Sequence, residues 1–252
     1  MHCPRVAVFD LDDTLAESFR PPQSSMINRL KALLERIPIA IVSGGGFPRI
    51  EADFLPNLIS SSNISNLFIL PNSASQCYLW AQDSWQEVYN FALTLDERVR
   101  ITTVLQESAE KLGLISREPD MESEIIDREA QIAFAAIGLR ASLEAKKAWD
   151  PDQSKRRRLK EVLDEKLPGF EVLIGGMTTV DITRHGINKA HGIEWLSKHL
   201  QIPTHEMYYV GDALYPGGND AVVIPTGIQT RATKNPDETL HVIDEMLAAC
   251  SA

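Results

Sequence analysis

Short apolar runs alternate along the chain with stretches whose apolar positions recur every three or four residues. Residues 5–9 form the first run and end in the acidic turn Asp10-Leu11-Asp12-Asp13-Thr14. A run this short, apolar at successive positions, predicts a strand buried on both faces. Met26, Ile27, Leu30, Leu33 and Leu34 then follow helical spacing, with Ser24 or Ser25 placed to cap the start. Residues 37–42 form a second run, ending in Ser43-Gly44-Gly45-Gly46, and residues 67–70 a third, ending in Pro71-Asn72-Ser73. Strands alternating with helices predict a parallel sheet with right-handed crossovers.

The texture changes after residue 73. Tyr78-Leu79-Trp80 and Gln86-Glu87-Val88-Tyr89 flank a polar turn and read as a hairpin. Helices are expected over 96–112 and 154–167, and strands over 124–127 and 130–137. A further hairpin is expected over 171–174 and 178–183, turning at Gly175-Gly176. From residue 186 the alternating pattern returns: a helix over 188–200, a strand over 207–210 ending in Gly211-Asp212, a short strand over 221–225 and a last helix over 237–249. The fold class expected is therefore α/β, a Rossmann-like parallel-sheet core over 1–86 and 186–252, interrupted by an α+β insertion over 87–185.

Composition narrows the partners. The net charge of −10 argues against nucleic acid, whose binding proteins carry excess positive charge. No apolar run approaches a membrane span, and no secretory signal opens the chain. Cys3, Cys77 and Cys250 form no CxxC pair, so reduced thiols and a cytoplasmic location are expected.

In open parallel sheets, ligands bind beyond the carboxyl ends of the strands. Here those ends carry Asp10 and Asp12, Ser43 and Gly44, Asn72, and Gly211-Asp212. A carboxylate such as Asp10 can attack phosphorus, and one two residues on, Asp12, can protonate the leaving oxygen and then activate water. Asp212 adds a third negative charge, and carboxylates crowded in this way call for a hard cation that takes oxygen ligands, Mg²⁺. Lys189, the Ser43 hydroxyl and nearby backbone N–H groups such as that of Gly44 would hold the phosphoryl oxygens.

Asp10-Leu11-Asp12-Asp13-Thr14, Ser43, Lys189, and Gly211-Asp212 with Gly218-Asn219-Asp220 resemble, in order, the four signature motifs of the haloacid dehalogenase superfamily. The likeness is greatest to subfamily IIB, in the branch of eukaryotic-type phosphomannomutases and sugar-phosphate phosphatases. Gly211 to Asp220, with its Pro216-Gly217-Gly218 insertion, resembles the phosphomannomutase form, as do Gly175-Gly176, Val180-Asp181-Ile182 and Gly186-Ile187-Asn188-Lys189. The resemblance implies Asp10 as nucleophile, Asp12 as acid/base, and Mg²⁺ on Asp10, the main-chain carbonyl of Asp12, and Asp212. It also implies Asn219 and Asp220 as supports of the metal shell and Lys189, and the insertion as a cap contributing Arg128, Arg140, Thr179 and Asp181 to the substrate.

Departures from the family pattern bear on the reaction. Asp13 stands where the family usually has glycine. A cap arginine is replaced by Leu139, with Arg140 one residue later, and another aligns with Lys146. A mutase must grip a phosphate at both ends of its sugar, and lysine lacks the bidentate fork of arginine. The reading is therefore a Mg²⁺-dependent phosphatase acting on a small phosphorylated metabolite, a hexose phosphate, with neither nucleic acid nor membrane as partner; a homodimer is compatible with it. The alternative is a phosphomannomutase, and a more distant one a non-catalytic sugar-phosphate sensor.

Simpler roles compete for several of these residues. Acids in a turn often only cap helices, and Ser43-Gly44-Gly45-Gly46 lacks the GxGxxG of a dinucleotide loop. The basic run over 155–160 reads as a solvated helix face because Glu161, Asp164 and Glu165 follow it. The tryptophans read as packing residues, and His185 as a candidate substrate contact.

Overall fold

The computed structural model describes residues 2–18, 20–61 and 63–251. They divide into two compact units, 1–90 with 189–252, and 91–188.

The first unit is built on a seven-stranded sheet of order β11-β10-β1-β2-β3-β4-β5. Its strands are β1 (Val6–Asp10), β2 (Ile39–Val42), β3 (Leu67–Leu70), β4 (Gln76–Ala81), β5 (Ser84–Asn90), β10 (Met207–Gly211) and β11 (Gln229–Ala232). The pairs β11–β10–β1–β2–β3 are parallel, while β4 and β5 extend the edge as an antiparallel hairpin. Alternate residues of each central strand feed opposite cores. Ala7, Phe9, Ile39, Ile41, Ile69 and Val210 pack with the helices Ser24–Leu34 and Pro236–Ala249. Val6, Val8, Ala40, Val42, Leu70 and Tyr209 pack with the helix Lys189–Leu200. Burial on both faces is why these strands are continuously apolar.

The second unit holds a four-stranded antiparallel sheet, order β6-β7-β9-β8. Its strands are β6 (Glu124–Asp127), β7 (Ile132–Ala135), β8 (Phe170–Gly175) and β9 (Thr179–Arg184). Ile132, Phe134, Val172, Val180 and Ile182 form a core with Ile101, Leu105, Leu159 and Leu163 of the helices Leu95–Lys111 and Ser154–Lys166. A reciprocal capping box, Thr94 with Glu97, fixes the start of the first of these helices.

Local readings are corrected at four places. Residues 221–225 are not a strand: Ala221–Thr226 winds as a 3₁₀ helix, and Val223 is buried against the Lys189–Leu200 side of the sheet. The edge strand is instead β11, whose residues are all exposed and gave no apolar signal. The helix Ser24–Leu34 starts on Ser24 itself, with Gln23 at the cap and no side-chain capping bond. Arg156 leaves the solvated basic face. It lies buried against Asp150 at 2.8 Å and donates to the carbonyls of Gly175 and Gly176. Finally, Cys3 and Cys250 are disulfide-bonded, and Cys77 is buried and free. Ala7 and Phe9 of β1 share one core with Val242, Ile243 and Met246 of the last helix, and the bond between the two ends of the chain overturns the expectation of three reduced thiols. Among the described residues no helix is long and apolar enough to cross a membrane.

Candidate active site

Parallel register places the chemistry-bearing residues side by side. Asp10 closes β1 opposite Val42 of β2, and Phe9 lies opposite Val210 of β10. The residues that follow these strands, Ser43 and Asp212, therefore emerge from the same edge as Asp10. Lys189 opens the helix Lys189–Leu200 and reaches this edge from the second layer.

Lys189 is buried and its Nζ lies 2.5 Å from Asp10 Oδ1 and 2.6 Å from Asp220 Oδ1. Carboxylate oxygens of Asp10, Asp212 and Asp220 all lie within 4.8 Å of one another. Asp220 is completely buried. Its Oδ1 also accepts from the Tyr209 hydroxyl at 2.6 Å, and its Oδ2 accepts from the Ala213 N–H at 3.0 Å. Gly211 makes this possible: a Cβ there would stand 2.3 Å from Asp220 Oδ2.

The charges are tuned by this crowding. Burial pushes the Asp10 carboxyl well above the usual carboxylate range, and Asp220 and Asp212 add to the rise while Lys189 opposes it. Burial and the charge of Asp220 lift Asp212 to about 7, against the pull of Lys189. Burial alone would lower Lys189, but Asp10 and Asp220 outweigh it and hold its ammonium charged. Burial and Asp220 raise Tyr209, so it remains a neutral donor. Hard oxygen ligands that repel one another in a buried site fit a divalent cation of the Mg²⁺ type.

Asp12 behaves differently. Its side-chain carboxylate stands apart from the cluster and meets Arg49, Nη2 to Oδ1 at 2.6 Å and Nη1 to Oδ2 at 3.0 Å. Asp13, at φ 59°, holds the left-handed turn in which glycine was expected. Its carboxylate accepts from the Ser18 N–H at 3.0 Å and the Ser18 hydroxyl at 2.7 Å, which fixes the loop after the motif.

Ser43 is buried and its Oγ accepts from the Gly45 N–H at 2.9 Å; Gly44 lies within the same turn. Asn72, Ser73 and Ala74, all left-handed, brace this turn from β3: the Asn72 and Ser73 N–H groups donate to the carbonyls of Gly45 and Ser43. Successive left-handed residues are costly and mark a backbone held for a purpose. Asn219 is half-buried beside Asp220.

Within the second unit, Thr179 and Asp181 point the same way from β9. A Cβ on Gly175 would meet Thr179 Oγ1 and Asp181 Oδ2, each at 2.6 Å. Arg128 lies in the turn before β7, its Nη1 3.0 Å from Gln131 Oε1, whereas Arg140 is exposed beyond the other end of that strand. Lys146 is buried and donates to the Leu139 carbonyl at 2.7 Å. His185 is exposed, its Nδ1 3.5 Å from Glu171. Arg49 and Tyr209 join the site with no signal in the sequence. Arg49 lies in no motif, and Tyr209 reads as an ordinary core residue of an apolar strand.

A parallel α/β core with this aspartate and lysine cluster at its strand ends defines a phosphoryl-transfer enzyme of the haloacid dehalogenase type. Solved structures share the fold. An IMP-bound IMP-nucleotidase of Plasmodium falciparum superposes with a TM-score of 0.72 at 17% identity, over 97% of this chain and 68% of that one. The C-terminal domain of Candida albicans trehalose-6-phosphate phosphatase gives 0.66 at 14% identity, over 98% and 93%. A haloacid dehalogenase-like hydrolase from Bacteroides thetaiotaomicron gives 0.64 at 18%, over 96% and 99%. More narrowly, the chain belongs to the eukaryotic phosphomannomutase family, which matches it over residues 26–249. Phosphomannomutase 2 of Dictyostelium discoideum is 24% identical over 95% of both chains. Phosphomannomutase of Spinacia oleracea is 22% identical over 96% of this chain and 95% of its own.

Proposed function

We propose that the protein is a phosphatase of sugar phosphates, with Asp10 as nucleophile. The observation that carries this reading is Lys189, buried and bound at once to Asp10 and Asp220 beside Asp212. Lys189 takes one Asp10 oxygen, Oδ1, and Oδ2 is assigned the attack on phosphorus. The P–O bond to the sugar breaks as the P–O bond to Asp10 forms, and Asp12 gives its proton to the departing sugar oxygen. Water then attacks the aspartyl-phosphate, Asp12 takes a proton from it, and inorganic phosphate leaves with Asp10 regenerated. Lys189, the Ser43 hydroxyl and the Gly44 N–H hold the phosphoryl oxygens.

Asp10, Asp212 and the main-chain carbonyl of Asp12 would hold Mg²⁺, with Asn219 and Asp220 as supports. When bound, the ion supplies positive charge against the phosphoryl oxygens. Arg128, Arg140, Thr179 and Asp181 of the second unit are assigned substrate selection.

Two observations divide phosphatase from mutase. Lys146, at a position where the mutases carry a cap arginine, donates to a main-chain carbonyl within its own unit, which favours a phosphatase. The family match favours a phosphomannomutase as the second reading. Free phosphate and isomer formation measured in parallel, on mannose 1-phosphate with a bisphosphate activator and on a panel of hexose phosphates, separate the two. Asp10→Asn should abolish both activities while leaving the fold intact; activity above a few per cent excludes Asp10 as nucleophile. Asp12→Ala should slow both half-reactions by about 10²–10⁴-fold.

A further inference from the structure

Arg49 belongs to no motif, yet it is the partner of the carboxylate assigned proton transfer. It sits on the short helix Phe47–Asp53, which leaves the glycine turn after Ser43. Each nitrogen of its fork takes one oxygen of Asp12, at 2.6 and 3.0 Å. A Cβ on Gly45 would stand 3.3 Å from Arg49 Nη1 and 3.2 Å from Ser43 Oγ, so the guanidinium runs directly above that glycine. Burial would lower the charge preference of Arg49, but hydrogen bonding and attraction to Asp12, with Asp53 and Asp10, outweigh it.

A planar fork meeting a planar carboxylate fixes more than distance. Two parallel N–H···O bonds set the plane of the carboxylate, which a single contact leaves free to rotate. A proton-transfer group serves two oxygens in succession, the departing sugar oxygen and the attacking water, and its direction matters at both. A misplacement of about 1 Å can cost about 10²-fold in rate. The pair is part-exposed, with side chains 25% and 28% accessible. Its direct contribution to stability is therefore small.

We propose that Arg49 is a positioning residue that orients the ionised Asp12 carboxylate for the step in which it takes a proton from the attacking water. This rests on the assignment of Asp12 as acid/base. Three consequences follow. Arg49→Ala lowers kcat by about 10–100-fold with KM within about threefold, because the lost interaction aligns the acid/base rather than binds substrate. Arg49→Lys does not recover the rate, because an ammonium cannot span both oxygens. In an Asp12→Ala background, Arg49→Ala costs nothing further, because the group it orients is gone.

The test is steady-state kinetics of the wild type, Asp10→Asn, Asp12→Ala, Arg49→Ala, Arg49→Lys and the Asp12→Ala/Arg49→Ala double variant. The substrate is whichever hexose phosphate the wild type turns over, and thermal unfolding checks that each variant is folded. Any of four results overturns the proposal: a kcat loss below about threefold in Arg49→Ala, full recovery by lysine, the same loss repeated in the Asp12→Ala background, or a raised KM with kcat kept. Wild-type turnover that Asp10→Asn abolishes establishes the phosphatase reading separately, so silent Arg49 variants then refute the orienting role alone. Turnover indifferent to both Asp10 and Asp12 removes the two together.

Discussion

Gly211→Ala tests the geometry that suspends Lys189. The added Cβ would lie 2.3 Å from Asp220 Oδ2, 2.8 Å from its Cγ and 2.9 Å from Tyr209 Cε1. Ordinary contact needs roughly 1 Å more. Asp220 cannot yield in place: Oδ1 is shared between Tyr209 and Lys189, both at 2.6 Å, and Oδ2 takes the Ala213 N–H. Overpacking alone costs about 1–3 kcal/mol. Each hydrogen bond to a charged group that is lost adds about 1.5–3 kcal/mol. Relaxation shares these costs, so the substitution should destabilise the protein by roughly 3–5 kcal/mol, and the displaced lysine should slow turnover by about 10²-fold. Urea unfolding with a two-state fit reads the first and phosphate release the second. Gly113→Ala is the control, because nothing lies within 4 Å of its Cβ position and only its left-handed backbone, φ 68°, resists; it should cost about 1 kcal/mol and no activity. A Gly211→Ala protein within 1 kcal/mol of the wild type, with unchanged turnover, would refute the packing of Asp220 beneath that glycine.

Two further predictions concern charge and the chain ends. Without metal, Asp212 carries a folded pKa of about 7 against an ordinary value of 3.8. An acid raised on folding imposes a penalty that is absent below about pH 4, grows as pH climbs and is complete above about 7. In chelator, wild-type stability should therefore fall relative to Asp212→Asn between pH 5 and pH 8, and excess Mg²⁺ should abolish that difference; parallel pH profiles in chelator count against the crowded cluster. The disulfide between Cys3 and Cys250 closes a separation of 247 residues, for which chain-entropy arguments give an upper bound of about 5.5 kcal/mol. Reduction, or Cys250→Ser, should lower the urea midpoint while leaving turnover unchanged, and thiol counting on unfolded, unreduced protein should find Cys77 alone; three titratable thiols would show the bond is not formed.

The strands β1, β2, β3 and β10 were legible because burial on both faces of a parallel sheet imposes an unbroken apolar run, a local property of the sequence. Asp10, Lys189 and Asp212, which the structure brings together, stood out as candidates because each lies at the end of such a run or in a motif of fixed order, as Asp12 and Ser43 do. What the sequence could not carry is which of these carboxylates share a site. Asp12 is two residues from Asp10, yet its side chain leaves the cluster for Arg49, because the short helix after the glycine turn delivers a guanidinium there. Asp220 enters the cluster because Gly211 leaves room beneath it and Tyr209, otherwise an unremarked core residue, points a hydroxyl at the same oxygen.

Hydropathy also misjudged 221–225, whose apolar residues cover the sheet from a 3₁₀ turn, and β11, which is polar and held by backbone pairing to β10 and by the Gln229 side chain on the His205 carbonyl. The meeting of Cys3 with Cys250 has the same origin. Local sequence fixes the period of each element and the chemistry at its end. Register, crossover and the free space beside a backbone decide which distant atoms meet, and only the folded chain supplies those.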